Sequence, residues 1–107
     1  MGLDAESFAD GTPLVFLFSS VNRTRMLSVF VDERSRDLSV SEIAEQAGIA
    51  RSTVYDHLDD FVEIGIVENT RKTGVSERYQ LNMENDIAEL LYKLDGVTLQ
   101  ALLEHDQ

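Results

Sequence analysis

The sequence has no cysteine, no tryptophan, a single proline and very little lysine, with only Lys72 and Lys93. Without cysteine there is no disulfide framework, thiolate zinc site, iron–sulfur cluster or thiol nucleophile. The two histidines, His57 and His105, supply a His-based metal site poorly. Glu104-His105-Asp106 are adjacent in sequence instead of sharing a helical face, so no metal or other cofactor is expected. Long apolar runs are also missing. The longest, Leu14-Val15-Phe16-Leu17-Phe18, has five residues, against the roughly 20 of a membrane-spanning helix. The opening Met1-Gly2-Leu3-Asp4-Ala5-Glu6 is acidic where a secretory signal is basic. A soluble, cytoplasmic protein with no membrane partner is expected. There is no glycine-rich phosphate loop, no HExxH and no Ser–His–acid spacing in a suitable context, and the carboxylates are scattered as solvation requires. An enzyme is not expected.

What the chain has in excess is acid. Twenty Asp and Glu stand against nine Lys and Arg, a net charge of −11 over 107 residues. Acidity combined with scarce lysine points to a salt-loaded cytoplasm, where carboxylates hold water and salt screens their repulsion. The alternative is an acidic partner-binding face. The length suits one domain, and a chain of this size buries about 65% of its unfolded surface, enough for a core without staples.

Residues 1–11, small and acidic with Gly2 and Gly11, read as a flexible tail, and 12–107 as a single domain. Thr12-Pro13 looks like a helix start, Thr as N-cap and Pro at the first position. The run 14–18 that follows is too short to stand alone and needs a neighbour or a partner chain. Asn22 is placed to cap the next helix, in which Met26, Leu27, Phe30 and Val31 recur at helical spacing. Arg23, Arg25 and Ser28 are assigned to other faces, with the arginines free to pair with acids or phosphate. That helix should fade by Glu33. Ser39-Val40-Ser41-Glu42 forms a capping box, Ile43, Ala44 and Ala47 make a buried face, and Gly48 suits a left-handed C-cap. A longer helix runs from Arg51 to Ile64 on the stripe Val54, Leu58, Phe61 and Val62, and Gly65 ends it. Ile66–Thr70 and Glu77–Leu81 read as two strands joined by a loop, with Tyr79 and Leu81 on one face. The last helix spans 84–105, with Glu84 and Asp86 in its first turn. It carries two apolar stripes, Ile87/Leu90/Leu91/Leu94 and Leu99/Leu102/Leu103. Asp95-Gly96 between them is open as a kink or a break.

The middle of the chain is the informative part. Ala44 is small where two helices cross, Gly48 permits the sharp turn, Ile49 and Val54 plug the angle, and Leu58 anchors the second helix. These are the packing demands of a helix-turn-helix, here at 39–64, and the hairpin 66–81 after it would be a wing. The words Asn22-Arg23-Thr24-Arg25-Met26-Leu27, Leu38-Ser39-Val40-Ser41-Glu42-Ile43-Ala44, Gly48-Ile49-Ala50-Arg51-Ser52-Thr53-Val54-Tyr55 and Leu58 through Gly65-Ile66-Val67 carry a resemblance. Residues 20–82 resemble the winged helix-turn-helix domains of ArsR- and MarR-type prokaryotic transcriptional regulators. With its acidity the chain looks like a haloarchaeal member. The expected fold is α-rich α+β, a winged helix with a two-stranded hairpin and a C-terminal dimerisation helix.

The resemblance implies that helix 51–64 lies in the major groove and that the wing reaches the adjacent backbone or minor groove. Carried over by position, Arg51, Ser52, Thr53, Tyr55, Asp56 and His57 face DNA, joined by Arg71, Lys72 and Arg78 from the wing. Arg51 can fork onto guanine or phosphate, and the hydroxyls of Ser52, Thr53 and Tyr55 can donate to phosphates. Asp56, where a basic residue is common, can accept from a cytosine amine but repels phosphate. Ala50 stands where a hydroxyl N-cap is common, and the cysteines used by metal-sensing ArsR members are absent. The charge argues against DNA. From 51 to 81, Arg51, Arg71, Lys72 and Arg78 face Asp56, Asp59, Asp60, Glu63, Glu68 and Glu77, a net −2. Asp59, Asp60 and Glu63 should tilt away from the duplex. Leu14, Phe16 and Phe18, with Ile87, Leu90, Leu91, Leu94, Leu99, Leu102 and Leu103, make a plausible two-fold interface, which predicts a homodimer on palindromic double-stranded DNA. The expected role is repression by occlusion. An effector, if any, would sit at the dimer interface or between wing and last helix. The rival is a winged helix used as a protein-interaction module.

Overall fold

Capping chemistry decides where the helices begin. A computed structural model describes residues 13–71 and 76–105 of the chain. The expected tail 1–11, the expected cap Thr12 and the wing residue Lys72 lie outside the described residues. Helix α1 is Pro13–Phe18, α2 Val21–Asp32, α3 Val40–Ala47 and α4 Arg51–Glu63. Strands β1, Val67–Arg71, and β2, Arg78–Leu81, follow, and α5 is Asp86–His105.

The cap of α2 is Ser20, not Asn22. The Ser20 hydroxyl accepts from the Arg23 amide at 3.1 Å, and Asn22 is an exposed residue inside the helix. The predicted box on α3 is present: Ser39 Oγ accepts from the Glu42 amide at 3.1 Å and Glu42 Oε1 from the Ser39 amide at 2.9 Å. Gly48 closes α3 in the left-handed region at φ 71°, a conformation that costs a side-chain-bearing residue about 1–2 kcal/mol. Asn85 caps α5, its Oδ1 accepting from the amides of Ile87 and Ala88. Glu84 therefore lies before the helix, and the acids of its first turn are Asp86 and Glu89.

α2, α3 and α4 meet around Met26, Phe30, Ile43, Val54, Leu58 and Phe61, with Leu38 and Ile66 closing the two ends. The hairpin is antiparallel, pairing Val67 with Leu81, Glu68 with Gln80 and Asn69 with Tyr79. The register then slips at Thr70, so that Arg71 lies opposite Arg78. Leu38 adds a one-residue third strand through two backbone bonds with Tyr79, at 2.7 and 2.8 Å. Val67, Tyr79 and Leu81 turn inward, as period-two alternation requires. Burial, reinforced by Glu77, which accepts the hydroxyl proton at 2.8 Å, pushes the Tyr79 phenol up to about 12.

α5 docks by its first two turns only. Ala88 and Leu91 are buried, and Tyr92 is half-buried with the Arg34 guanidinium 4.4 Å above its ring. The helix runs unbroken through Asp95-Gly96, and from Lys93 to His105 every residue is exposed. Burial, with Asp95 and Glu33 nearby, holds the Asp32 carboxyl above its usual range.

Candidate nucleic-acid interface

At 100° per residue, Ser52, Tyr55, Asp56 and Asp59 fall on one face of α4. All four are exposed, Tyr55 at 60%. Arg51 stands exposed beside them and donates to Ser41 Oγ at 3.3 Å. Ala50 makes no side-chain cap, and its carbonyl accepts from the amides of Thr53 and Val54 at 3.0 and 3.1 Å, which leaves the amides of Arg51 and Ser52 without a cap from position 50. Those amides, at the positive end of the helix dipole, can bind a phosphate oxygen. The opposite face carries Val54, Leu58 and Phe61 into the core, which holds the outward face rigidly.

Thr53 and His57 lie on the flank, both half-buried, and do not join the exposed face. His57 is turned toward α2. Its Nδ1 accepts from Arg23 Nη1 at 3.1 Å, which places the proton of the neutral ring on Nε2. Burial, followed by the Arg23 charge, pulls its pKa below the usual value of 6.5. Arg23 itself is buried, 5% exposed, in contrast to its expected outward face. It donates to the Phe16 carbonyl and to Asp60 Oδ2, the latter at 3.0 Å. Its guanidinium lies 4.6 and 4.8 Å from the ring centres of Phe16 and Phe61. Arg23 thus pins α1 and α4 to α2. Sequence reasoning missed this role, although position 23 continues the stripe of Met26, Leu27, Phe30 and Val31.

In the wing, Arg71 ends β1 and brings the hairpin toward its tip. Arg78 is tied into the fold. Its Nε donates to Asp37 Oδ1 at 2.9 Å, and its Nη2 to the Asp37 carbonyl at 3.1 Å and Glu42 Oε1 at 2.9 Å. Its side chain is 24% exposed. From sequence, Arg78 is expected to face DNA with the other wing cations; in the structure it is held by carboxylates of the α2–α3 connection and α3.

The expected interface residues divide. Leu14, Phe18, Leu90, Leu94, Leu99, Leu102 and Leu103 are exposed, six of the seven at 55% or more. Leu91 is spent on the domain's own core and Ile87 is half-buried against it. Phe16, also half-buried, lies under Arg23. An apolar groove of about 190 Å³ opens between α2 and α5, lined by Phe18, Leu27, Val31, Leu91 and Leu94 among others. Among the described residues no three His, Asp or Glu side chains converge as a metal site, and no helix is long and apolar enough to cross a membrane.

Two helices at a glycine turn, a hairpin against them and an exposed second helix define a winged helix-turn-helix protein. The family model described as the IclR helix-turn-helix domain matches residues 25–71. No curated protein matches the chain. Three solved structures share the fold. The homodimeric winged helix-turn-helix DNA-binding domain of a possible ArsR-family transcriptional regulator from Mycobacterium bovis is 24% identical, with 97% of this chain and 94% of that one covered and a TM-score of 0.58. A mutant of Lactococcus lactis ZitR in apo form is 16% identical over 98% and 83%, with a TM-score of 0.63. A possible transcriptional regulator from Methanosarcina mazei is 16% identical over 86% and 79%, at 0.58.

Proposed function

We propose that the chain is a sequence-specific double-stranded DNA-binding transcriptional regulator. It acts as a homodimer, as a repressor, in a salt-rich cytoplasm of the haloarchaeal kind. The observation that carries this reading is the rigidly backed, exposed face of α4, with Arg51 and uncapped amides at its leading end and the wing beside it. Arg51 and Asp56 are the base-reading candidates, Ser52 and Tyr55 the phosphate donors, and Arg71 and Lys72 the wing contacts. Thr53 and His57 support the helix from its flank. The match to a helix-turn-helix family model and the regulators among the structural neighbours favour the same reading, as does the homodimeric state of the Mycobacterium bovis domain. Both ArsR-type and IclR-type ancestry fit a scaffold of this shape.

In the homodimer, Leu14 and Phe18 of α1 and the exposed leucines of α5 form the contact. Two α4 helices would then face DNA about one helical turn apart, on a palindromic site. Occlusion of a promoter needs nothing further from the chain. The test is selection of random-sequence duplexes by the folded protein in molar KCl, followed by fluorescence anisotropy on the recovered sequence. A palindrome with half-sites one turn apart is the expected result. Arg51→Ala should then relax discrimination at one base pair by about 1–3 kcal/mol. Arg71→Ala with Lys72→Ala should weaken all duplexes alike and lower the salt slope by about 2. No enrichment by a folded dimer would move the reading to a protein partner, which the acidic Asp56 and Asp59 on the same face would then serve.

A further inference from the structure

Besides the backbone bonds of Leu38 with Tyr79, the wing is tethered by a cluster of charged groups. Asp37, in the connection between α2 and α3, holds both strands of the hairpin with one carboxylate. Its Oδ1 accepts from Arg78 Nε of β2 at 2.9 Å, and its Oδ2 from Thr70 Oγ1 of β1 at 3.0 Å. Thr70 is the residue where the strand register slips, and Arg78 is the residue paired with Arg71 just beyond that slip. Glu42 completes the grip. Its Oε1 accepts from Arg78 Nη2 and from the Ser39 amide, so the carboxylate that closes the α3 cap also holds the wing. Arg36 donates to the other Glu42 oxygen at 3.1 Å and neutralises the extra acid. Below this point the hairpin is fixed by Leu38 and Tyr79 through backbone bonds. The hairpin is therefore fixed at Arg78 to the α2–α3 connection and to α3.

We propose that Arg78 is a positioning residue and not a DNA contact: with Asp37 and Glu42 it forms a latch that fixes the hairpin against α3 for its approach to DNA. The proposal rests on the DNA-binding reading above and deepens it. Three of the five guanidinium hydrogens are used inside the fold. A fork onto phosphate would need the latch to open and would cost Asp37 and Glu42 their bonds to Arg78. The latch spans three acceptors with fixed angles, which a lysine ammonium cannot reproduce.

The two roles predict opposite signs. Asp37→Asn removes a negative charge close to DNA. If Arg78 gripped phosphate, that change would free it and strengthen binding. With a latch, binding weakens by roughly tenfold as the wing-tip contacts are lost. Arg78→Lys should weaken binding to a similar extent although the charge is kept. In an Arg71→Ala, Lys72→Ala background, Asp37→Asn should have no further effect. The measurement is fluorescence anisotropy of the full chain on a recovered duplex across a KCl series, with circular dichroism to confirm the fold. Amide exchange at Asn69 and Tyr79 should quicken in Asp37→Asn whether or not DNA is present. Tighter binding by Asp37→Asn, full binding by Arg78→Lys, or unchanged wing exchange would overturn the latch. If the unsubstituted protein binds no duplex at all, the regulator reading falls and the positioning role falls with it. If it binds, those variants decide on Arg78 alone.

Discussion

Arg23 is the residue on which most of the architecture converges. A buried guanidinium needs its charge paired and its donors met. Asp60, His57 and the Phe16 carbonyl do this, while two aromatic rings cover its faces. Arg23→Met keeps the stem volume and removes the head, leaving Asp60 without its cation. The expected loss is about 2 kcal/mol in urea denaturation, less than for a fully buried pair because the Asp60 side chain is 39% exposed. The same cluster makes stability depend on pH. Folding lowers the pKa of His57, so the unfolded chain binds the proton more tightly. That contribution is complete above the unfolded value near 6.5, falls as pH drops toward the folded value, and levels off below it. His57→Gln should flatten this part of a stability-against-pH curve. A slope of the same size in the variant would assign it to other groups.

At the scale of elements, α5 is the least satisfied. Its first turns are anchored by Ala88 and Leu91, yet the helix continues through thirteen exposed positions from Lys93 to His105. Leu90, Leu94 and Val97 lie along one side, and Leu99, Leu102 and Leu103 along another, all exposed by more than half. An exposed apolar surface of this extent marks an interaction site. Under the proposed homodimer, Leu99→Glu with Leu103→Glu should leave the core untouched and give a monomer in analytical ultracentrifugation. DNA affinity should fall with it, because the two half-sites are then engaged separately. A doubly substituted chain that still sediments as a dimer would move the interface elsewhere.

For the molecule as a whole, charge governs the conditions of folding. A net charge of −11 on 107 residues repels itself in dilute buffer, and salt screens the repulsion within about 3 Å at 1 M. The melting temperature should therefore climb from low to multimolar KCl. A flat profile would remove the salt-rich setting from the functional proposal. High salt also diminishes counterion release as a source of DNA affinity. Direct contacts, shape and pairing of two subunits would then carry more of the proposed binding.

Much of this was legible in the residues themselves. The Ser39–Glu42 box, the left-handed Gly48, the stripe of Val54, Leu58 and Phe61, and the alternation of Tyr79 and Leu81 are short-range signals whose causes lie within a few residues. They were enough to place a helix-turn-helix and a wing. Ser20 and Asn22 show the limit of such signals, since both are capping residues and only the entry path of the chain chose between them. Position 23 continues the apolar stripe of α2, yet the charge of Arg23 puts it on another face when read from sequence. What decided in favour of burial was the arrival of Asp60 and His57 from 37 and 34 residues away. Arg78 presents the same case. From sequence it is one cation among the few in the hairpin, and its role was decided by Asp37 and Glu42, distant by 41 and 36 residues. Local sequence determined where the elements begin, end and turn their apolar faces. Only tertiary structure determined which charges are spent on the fold and which are left to meet a partner, because pairing energy depends on distance and burial that no local pattern contains.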